Sequence, residues 1–206
     1  MFKQFLKGIV SDSDNDSSSS ERSSSETRAQ RARESDILID PELLGEKVDV
    51  ERRVSIITTH YDDVSREDAE VIAETLKTYT ETYDLDRREA KQKVCDETSL
   101  KREHAERIWW TERHSVQMLN SLDEDLDVDL TMEYSWSTAG DDQVHPVCEE
   151  VAEEIENRGG SVPLEELQEI LKEKAEKYED QGGTPERVDH LVAHEKCRSA
   201  ILPSVG

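Results

Sequence analysis

The sequence predicts an α+β fold that is mostly helical and includes a small antiparallel sheet. Two observations predict this class. From Ser65 onward, apolar residues recur at helical spacing in several segments. Between residues 128 and 137 they alternate with polar residues, which is typical of a half-buried strand. A third observation, a repeated His-x-x-Cys motif, predicts a metal ion that binds two distant segments of the C-terminal domain and holds them together.

Composition divides the chain into three predicted regions. Residues 1–35 comprise a short amphipathic segment and a tail in which nine of the fifteen residues from 11 to 25 are serine. Such a tail cannot offset the entropy of ordering, so we expect it to be disordered. The amphipathic segment is either a frayed end or a peptide that docks on a partner. Residues 36–84 are predicted to form a helical N-terminal region, and residues 85–206 a C-terminal domain.

The first elements are expected around Ser65. Residues 54–59 read Val-Ser-Ile-Ile-Thr-Thr, and their β-branched side chains predict a short strand. Ser65 and Asp68 form an acidic variant of a capping box, which predicts the start of a helix. The apolar stripe of that helix contains Ala69, Ile72, Ala73, Leu76, Tyr79 and Tyr83.

Two more helices and the strand follow. A short helix is expected from Asp86 through Val94, and a longer one over about residues 99–122. The inward face of the longer helix carries Ala105, Ile108, Trp109, Val116 and Leu119. Residues 128–137 then predict the half-buried strand, whose apolar positions are Val128, Leu130, Met132, Tyr134 and Trp136.

The C-terminal third predicts two helices and a second strand. Pro146 suits the first position of a helix, and the glycine pair at 159–160 would end that helix. Another helix is expected over about residues 163–178, before the glycine pair at 182–183. The short apolar stretch 200–202 can pair with the strand at 128–137, which completes the small sheet.

The charge balance excludes several classes of protein. The chain has 206 residues, 50 of them acidic and 26 basic, for a net charge of −24. This charge repels phosphate backbones, so direct nucleic-acid binding is not expected. The acidic residues lie on the polar faces of the predicted amphipathic helices. This placement indicates a protein adapted to concentrated salt, because salt screens the repulsion between its negative charges. No apolar run approaches the roughly 20 residues that span a bilayer, and no secretory signal is evident, which indicates folding in a cytoplasm.

Two segments share the pattern His-x-x-Cys, namely His145 with Cys148 and His194 with Cys197. Two intervening residues let both side chains of a pair reach one ion from a tight turn or a helix start. Together the pairs can supply two nitrogens and two sulfurs to a tetrahedral structural site. These four residues are therefore the candidate metal ligands, and zinc is the candidate cofactor.

Two alternatives to a metal site stay open. The four side chains can form a buried cluster without metal, or Cys148 and Cys197 can form a disulfide, which a reducing cytoplasm disfavours. Cys95 has no such pattern and is expected in the core. His190 lies close enough in sequence to His194 to be a spare ligand.

Catalytic signals are weak. Glu112 follows two tryptophans and is expected to be partly buried, where a carboxylate needs a partner. Pairing with an arginine such as Arg198 is the expected role, and acid–base catalysis is the alternative. Asp141 and Asp142 are expected to serve the turn and the cap of the helix after His145, and metal binding or proton transfer is the alternative. The sequence contains no Gly-rich phosphate loop, no G-x-S-x-G and no H-E-x-x-H motif, so no enzyme class is indicated.

Four short segments of the C-terminal half occur in a characteristic order. They are Trp110-Thr111-Glu112, Tyr134-Ser135-Trp136-Ser137-Thr138, the run from Asp141 through Val144 to Cys148, and His194-Glu195-Lys196-Cys197-Arg198. In this order they resemble the C-terminal domain of the phage head-morphogenesis family, the Mu F-like minor head proteins. The resemblance covers residues from about 85 to 203. Ser199 stands where family members often carry a further cysteine.

The resemblance implies a low-copy minor capsid protein of a tailed virus, located in the head interior or at the portal vertex. Its implied partners are the portal protein and the major capsid protein, and its implied roles are head assembly and DNA delivery. With the acidic composition, this looks like a virus of a haloarchaeon. Asp142 and Arg198 would support the metal cluster in this interpretation. The alternatives are a zinc-stabilised nucleic-acid- or protein-binding module and a transferase-like enzyme.

Overall fold

A computed structural model describes residues 48–126 and 132–205. The fold class is confirmed, because these residues form a mostly helical α+β structure with a two-stranded antiparallel sheet. The expected tail over residues 1–35 lies outside the described residues, as does the beginning of the expected strand, residues 128–131. Within the described ranges, no helix combines the length and apolarity needed to cross a membrane.

The described residues form six α-helices and one two-stranded sheet. The helices are α1 (Val50–His60), α2 (Arg66–Lys77), α3 (Arg87–Glu97), α4 (Arg102–Leu126), α5 (Pro146–Asn157) and α6 (Leu164–Lys177). A π-helical turn (Thr78–Thr82) extends α2, and the 3-10 turns Glu179–Gln181 and Pro185–His190 follow α6. Strands β1 (Met132–Ser137) and β2 (Ala200–Val205) are antiparallel, with Trp136 opposite Ile201.

The strand predicted over residues 54–59 is wrong, since these residues belong to α1. Asp49 caps that helix by accepting a hydrogen bond from the Arg52 backbone N–H at 2.9 Å. Val54 and Ile57 are fully buried on one face, together with the nearby Tyr61. Burial of this helical stripe outweighs the preference of β-branched residues for extended backbone, which is weak and dependent on context.

The predicted start of α2 is confirmed, but Asp68 does not complete a capping box. The Ser65 hydroxyl accepts a hydrogen bond from the Asp68 backbone N–H at 3.1 Å, as expected. The Asp68 carboxylate instead accepts hydrogen bonds from the Ser99 N–H at 2.7 Å and the Ser99 hydroxyl at 2.8 Å. It therefore fastens the start of α2 to the turn between α3 and α4.

Replacing Asp68 with alanine is expected to lower the free energy of unfolding by about 1–2 kcal/mol, because the Ser99 N–H and hydroxyl lose their partly buried, charged acceptor. Burial raises the pKa of Asp68, but the hydrogen bonds from Ser99 and Ser65 outweigh it and lower that pKa below its ordinary value. The contribution is therefore present above about pH 4, the unfolded pKa, and fades as the pH falls below it. Urea melts of both proteins at neutral and acidic pH measure this, and a difference that did not shrink in acid would contradict it.

The other predicted helices, the described part of the strand and its partner are confirmed, but Tyr83, predicted on the apolar stripe of α2, follows the π-helical turn and is exposed. Asp86 caps α3 in a reciprocal capping box with Glu89, and the five residues predicted for the inward face of α4 are buried. Pro146 begins α5, and Ala200 begins the strand that pairs with β1.

Two apolar cores lie along α4. The N-terminal core contains buried residues from Val54 to Trp109, and the C-terminal core contains buried residues from Met118 to Ile201. The change from one core to the other therefore occurs within α4. The domain boundary between residues 84 and 85 stays a prediction.

Candidate metal centre

Three predicted ligands meet in a buried group, the metal cluster of Cys148, His194 and Cys197. Cys148 occupies the first turn of α5, whereas His194 and Cys197 lie in the loop before β2. The Cys148 Sγ lies 3.1 Å from the His194 Nε2 and 3.6 Å from the Cys197 Sγ. The three ligand atoms all lie within 4.8 Å of one another. The two motifs, separated by a whole helical excursion, thus come together in space.

These separations fit a common ion. Zn–S bonds of about 2.3 Å and Zn–N bonds of about 2.0 Å give tetrahedral edges of about 3.8 Å and 3.5 Å. The observed 3.6 Å and 3.1 Å are slightly shorter than these edges. A small cavity of about 20 Å³, lined in part by His145, Cys148 and His194, adjoins the cluster and has room for one water-sized group.

The His194 ring is held in the tautomer that a metal ligand needs. Its Nδ1 lies 2.8 Å from the Glu195 carbonyl oxygen, which can only accept, so Nδ1 carries the proton and donates. The lone pair therefore resides on Nε2, the atom that faces Cys148. A backbone carbonyl that orients a ligating histidine in this way is the usual outer-shell partner at metal sites.

Helix α4 holds the loop that carries the second motif. The Thr111 hydroxyl accepts a hydrogen bond from the Lys196 backbone N–H at 3.1 Å, and Arg107 pairs with Glu195 at 3.3 Å. Lys196 adopts a left-handed conformation with φ of 57°, which turns the chain sharply between His194 and Cys197. This turn lets the two side chains of the motif face the same point.

The backbone at Gly183 contacts the loop that carries His194. Gly183 forms an isolated β-bridge with His194. A Cβ atom at Gly183 would lie 2.2 Å from the Ala175 carbonyl oxygen. Only glycine fits here, so the glycine pair after α6 does more than end that helix.

His145 does not present a nitrogen to the cluster. Its ring stacks on that of His194, with centroids 4.2 Å apart and planes inclined by 14°. Its Nδ1 accepts the Val147 N–H at 3.2 Å, which makes His145 the N-cap of α5, and its Nε2 donates to the Gln181 carbonyl at 3.0 Å. Both ring nitrogens are therefore engaged within the protein, so the predicted fourth ligand acts here as a cap and a stacking partner.

The two cluster thiols are hydrogen-bonded to each other. The hydrogen bond from Cys197 lowers the pKa of the Cys148 thiol far below its ordinary value, although burial opposes the shift. The same hydrogen bond, together with burial, raises the pKa of Cys197. Cys148 is therefore the more readily deprotonated of the two thiols, and the thiolate is the form in which cysteine binds a cation.

The other cysteine and the spare histidine lie elsewhere. Both cluster thiols are free, so they form no disulfide. Cys95 is half-buried and packs against the N-terminal core. His190 is buried but contacts the His60 ring, with centroids 5.7 Å apart, and does not belong to the cluster.

Arg198 is hydrogen-bonded to Asp141, and the predicted support of the cluster by Asp142 and Arg198 stays a prediction. The two hydrogen bonds from Arg198, at 2.7 and 2.8 Å, lower the pKa of the Asp141 carboxyl. Asp142 is exposed and interacts electrostatically with Arg198. The predicted capping role of the two aspartates is wrong, because His145 caps α5, although Asp141 does close the turn by accepting the Gln143 N–H. Adjacent carboxylates are equivalent in sequence, and only the loop geometry selects one.

Glu112 is completely buried and pairs with two arginines, neither of which is Arg198. The Arg53 guanidinium lies 3.0 Å from it and the Arg187 guanidinium 2.8 Å. Tyr61 donates a further hydrogen bond at 3.4 Å. Burial raises the pKa of Glu112, but Arg187 and Arg53 outweigh it and hold that pKa below its ordinary value. This buried arrangement, the Arg53–Glu112–Arg187 triad, connects α1, α4 and the Pro185–His190 turn.

Sequence reasoning missed both arginines of the triad. Arg187 lies in a turn, and Arg53 lies in the segment that was expected to be a strand. The sequence around neither residue predicted a buried arginine. The useful signal was the buried carboxylate itself, which required a positive partner somewhere in the chain. Thr111 was also missed as the anchor of the Lys196 turn, although it stands beside Glu112 in the same motif.

Comparisons of the chain with protein-family models, with curated proteins and with solved structures find no match.

Proposed function

We propose that this chain is a minor head protein of a tailed virus that binds the portal protein and the major capsid protein inside the head. The proposal extends the resemblance of its four C-terminal segments to the Mu F-like minor head proteins. In this role the C-terminal module is a compact binding unit, and the metal cluster holds its ends together.

The observation that carries the proposal is the meeting of these four segments around one centre. Thr111 holds the turn at Lys196, and Asp141 pairs with Arg198 beside the cysteines. The strand segment containing Trp136 pairs with β2, which begins three residues after Cys197. Segments between residues 110 and 198 therefore belong to one structural unit. This supports reading their order along the chain as one motif of the head-morphogenesis family.

We further propose that the ion is zinc. Two cysteine sulfurs and one neutral imidazole nitrogen suit zinc better than calcium or magnesium, which prefer oxygen ligands. The small cavity beside His145 would admit a water molecule as a fourth ligand. The bound ion would clip α5 to the loop before β2, and its binding free energy would contribute to folding.

A protein partner fits the charge better than a nucleic acid does. The net charge of −24 opposes extended contact with phosphates. Inside a head the chain would therefore lie near packaged DNA while contacting protein.

Quantitative mass spectrometry of purified virus particles tests the proposed function. We expect a few copies of this chain per particle, and co-purification with the portal protein when both are expressed from the same viral genome. Purification of the portal protein with an unrelated acidic protein is the control. Absence from both the particles and the assembling heads would overturn the proposal.

Replacing His145 with alanine is expected to leave the metal content unchanged, at about one equivalent per chain, because its nitrogens bond to Val147 and Gln181. Stability should fall by about 1 kcal/mol through the lost helix cap. Elemental analysis and urea melts measure the two effects. Loss of the metal in this variant would restore His145 as the fourth ligand and contradict the three-residue site.

A further inference from the structure

A cleft of about 1000 Å³ lies on the face of α4 that carries Trp110 and Arg113. We name it the basic–aromatic cleft and define it by six of its lining residues, Tyr79, Tyr83, Arg87, Trp110, Arg113 and His114. One wall is the π-helical turn after α2, and such turns occur frequently at functional sites. The Tyr83 ring, at the end of that turn, is 82% exposed.

Two arginines of the cleft, Arg87 and Arg113, contact aromatic rings. Arg113 lies 5.3 Å from the Trp110 ring and 5.5 Å from the Tyr79 ring, and Arg87 lies 5.5 Å from the Trp110 ring. Neither arginine forms a salt bridge within the part of the chain that the structure describes. The third lining arginine, Arg198, is paired with Asp141, and the one lining aspartate, Asp86, caps α3, so the uncompensated charge is that of Arg87 and Arg113. Uncompensated positive charge on aromatic walls is unexpected in a chain with a net charge of −24.

A buried polar group also lines the cleft. His114 is only 8% exposed, and its Nε2 has no hydrogen-bond partner among the described residues. Buried polar atoms are almost always paired in native proteins. An unsatisfied nitrogen in the lining of a cleft therefore points to a ligand that supplies the missing partner.

We propose that the basic–aromatic cleft binds an acidic peptide segment of a partner protein. The arginines would donate charge-assisted hydrogen bonds to the carboxylates of the peptide. The aromatic rings would pack against the aliphatic or aromatic side chains that lie between those carboxylates. Charge complementarity selects this occupant, because the cleft is positive within a strongly negative surface. The proposal stands on the cleft alone and does not require the proposed viral function.

The test uses the full-length chain and a fluorescein-labelled peptide that alternates acidic residues with leucine and phenylalanine. Fluorescence anisotropy should show saturable binding, and a peptide with lysine in place of the acids should not bind. Replacing Arg87 or Arg113 with glutamine should weaken binding by about tenfold or more. Arg88→Gln is the matched control, since Arg88 is exposed on the same helix but does not line the cleft, and it should bind like the unaltered chain.

Three results would overturn the proposal. Equal weakening by Arg88→Gln and Arg87→Gln would indicate a general charge effect. Binding of labelled oligothymidylate but not of the peptide would assign the cleft to single-stranded nucleic acid, which also pairs aromatic stacking with positive charge. Failure of both probes to bind would also overturn the proposal, and a Trp110→Leu variant would then identify the occupant. Dissociation of a dimer in light scattering would assign the cleft to a second copy. Exposure of residues 1–47 to trypsin would assign it to the chain itself.

Discussion

Replacing Glu112 with glutamine is expected to lower the free energy of unfolding by about 3–5 kcal/mol. The substitution keeps the shape of the side chain but leaves Arg53 and Arg187 buried without their counter-charge. Both guanidinium groups are at least 95% buried, so water cannot replace the carboxylate. The loss is a large fraction of the stability of an ordinary domain.

Urea melts in molar salt measure this effect, because high salt screens the surface repulsion of the acidic chain. Glu165→Gln is the matched control, since Glu165 is exposed on α6 and makes no ion pair within the described residues; it should change stability by less than about 0.5 kcal/mol. A loss below about 1 kcal/mol for Glu112→Gln would show that the carboxylate is not the ionised centre of the triad.

The triad also bears on the alternative role of Glu112 as a catalytic acid. The side chain has no exposed surface, and its two oxygens contact Arg53, Arg187 and Tyr61. A proton donor must reach the substrate directly or through one water, which this enclosure prevents. The geometry therefore supports the structural role that the sequence favoured, with different arginines.

Local signals in the sequence predicted most of the fold. The caps at Ser65 and Asp86, the proline at 146 and the glycine pairs each act through neighbouring residues, so each could be located from sequence spacing. The error at residues 54–59 arose because β-branched side chains suggest a strand when burial is unknown. In the structure, Val54 and Ile57 pack in the N-terminal core, and that tertiary contact decides the conformation.

The candidate site was predictable in its chemistry but not in its geometry. The repeated His-x-x-Cys pattern identified Cys148, His194 and Cys197, because ligand spacing is a local property. It could not show that the His145 nitrogens bond to Val147 and Gln181, since the latter lies 36 residues away. The choice of Asp141 over Asp142 likewise depends on how two loops meet. Such long-range pairings leave no periodic trace in a single sequence.

Replacing His194 with alanine is expected to abolish metal binding and to lower the free energy of unfolding by about 4 kcal/mol or more. A ligand present at a thousandfold excess over its dissociation constant contributes about 4 kcal/mol to the folded state, and structural zinc sites bind more tightly than this. His194 is buried, and its Nε2 is the only nitrogen of the metal cluster. The two remaining sulfurs cannot complete a stable site, so the loop before β2 should lose its attachment to α5.

A chelation cycle separates loss of metal from loss of packing. Chelator should lower the melting temperature of the unaltered chain to near that of His194→Ala, while leaving the variant itself unchanged. His104→Ala is the control, because its half-buried ring pairs with Asp63 and lies outside the metal cluster; it should keep both the metal and the response to chelator. A thiol titration adds a second readout, since chelation should expose Cys148 and Cys197 to reagent. If His194→Ala retained the full melting temperature of the metal-loaded chain, the ion would not hold the module together.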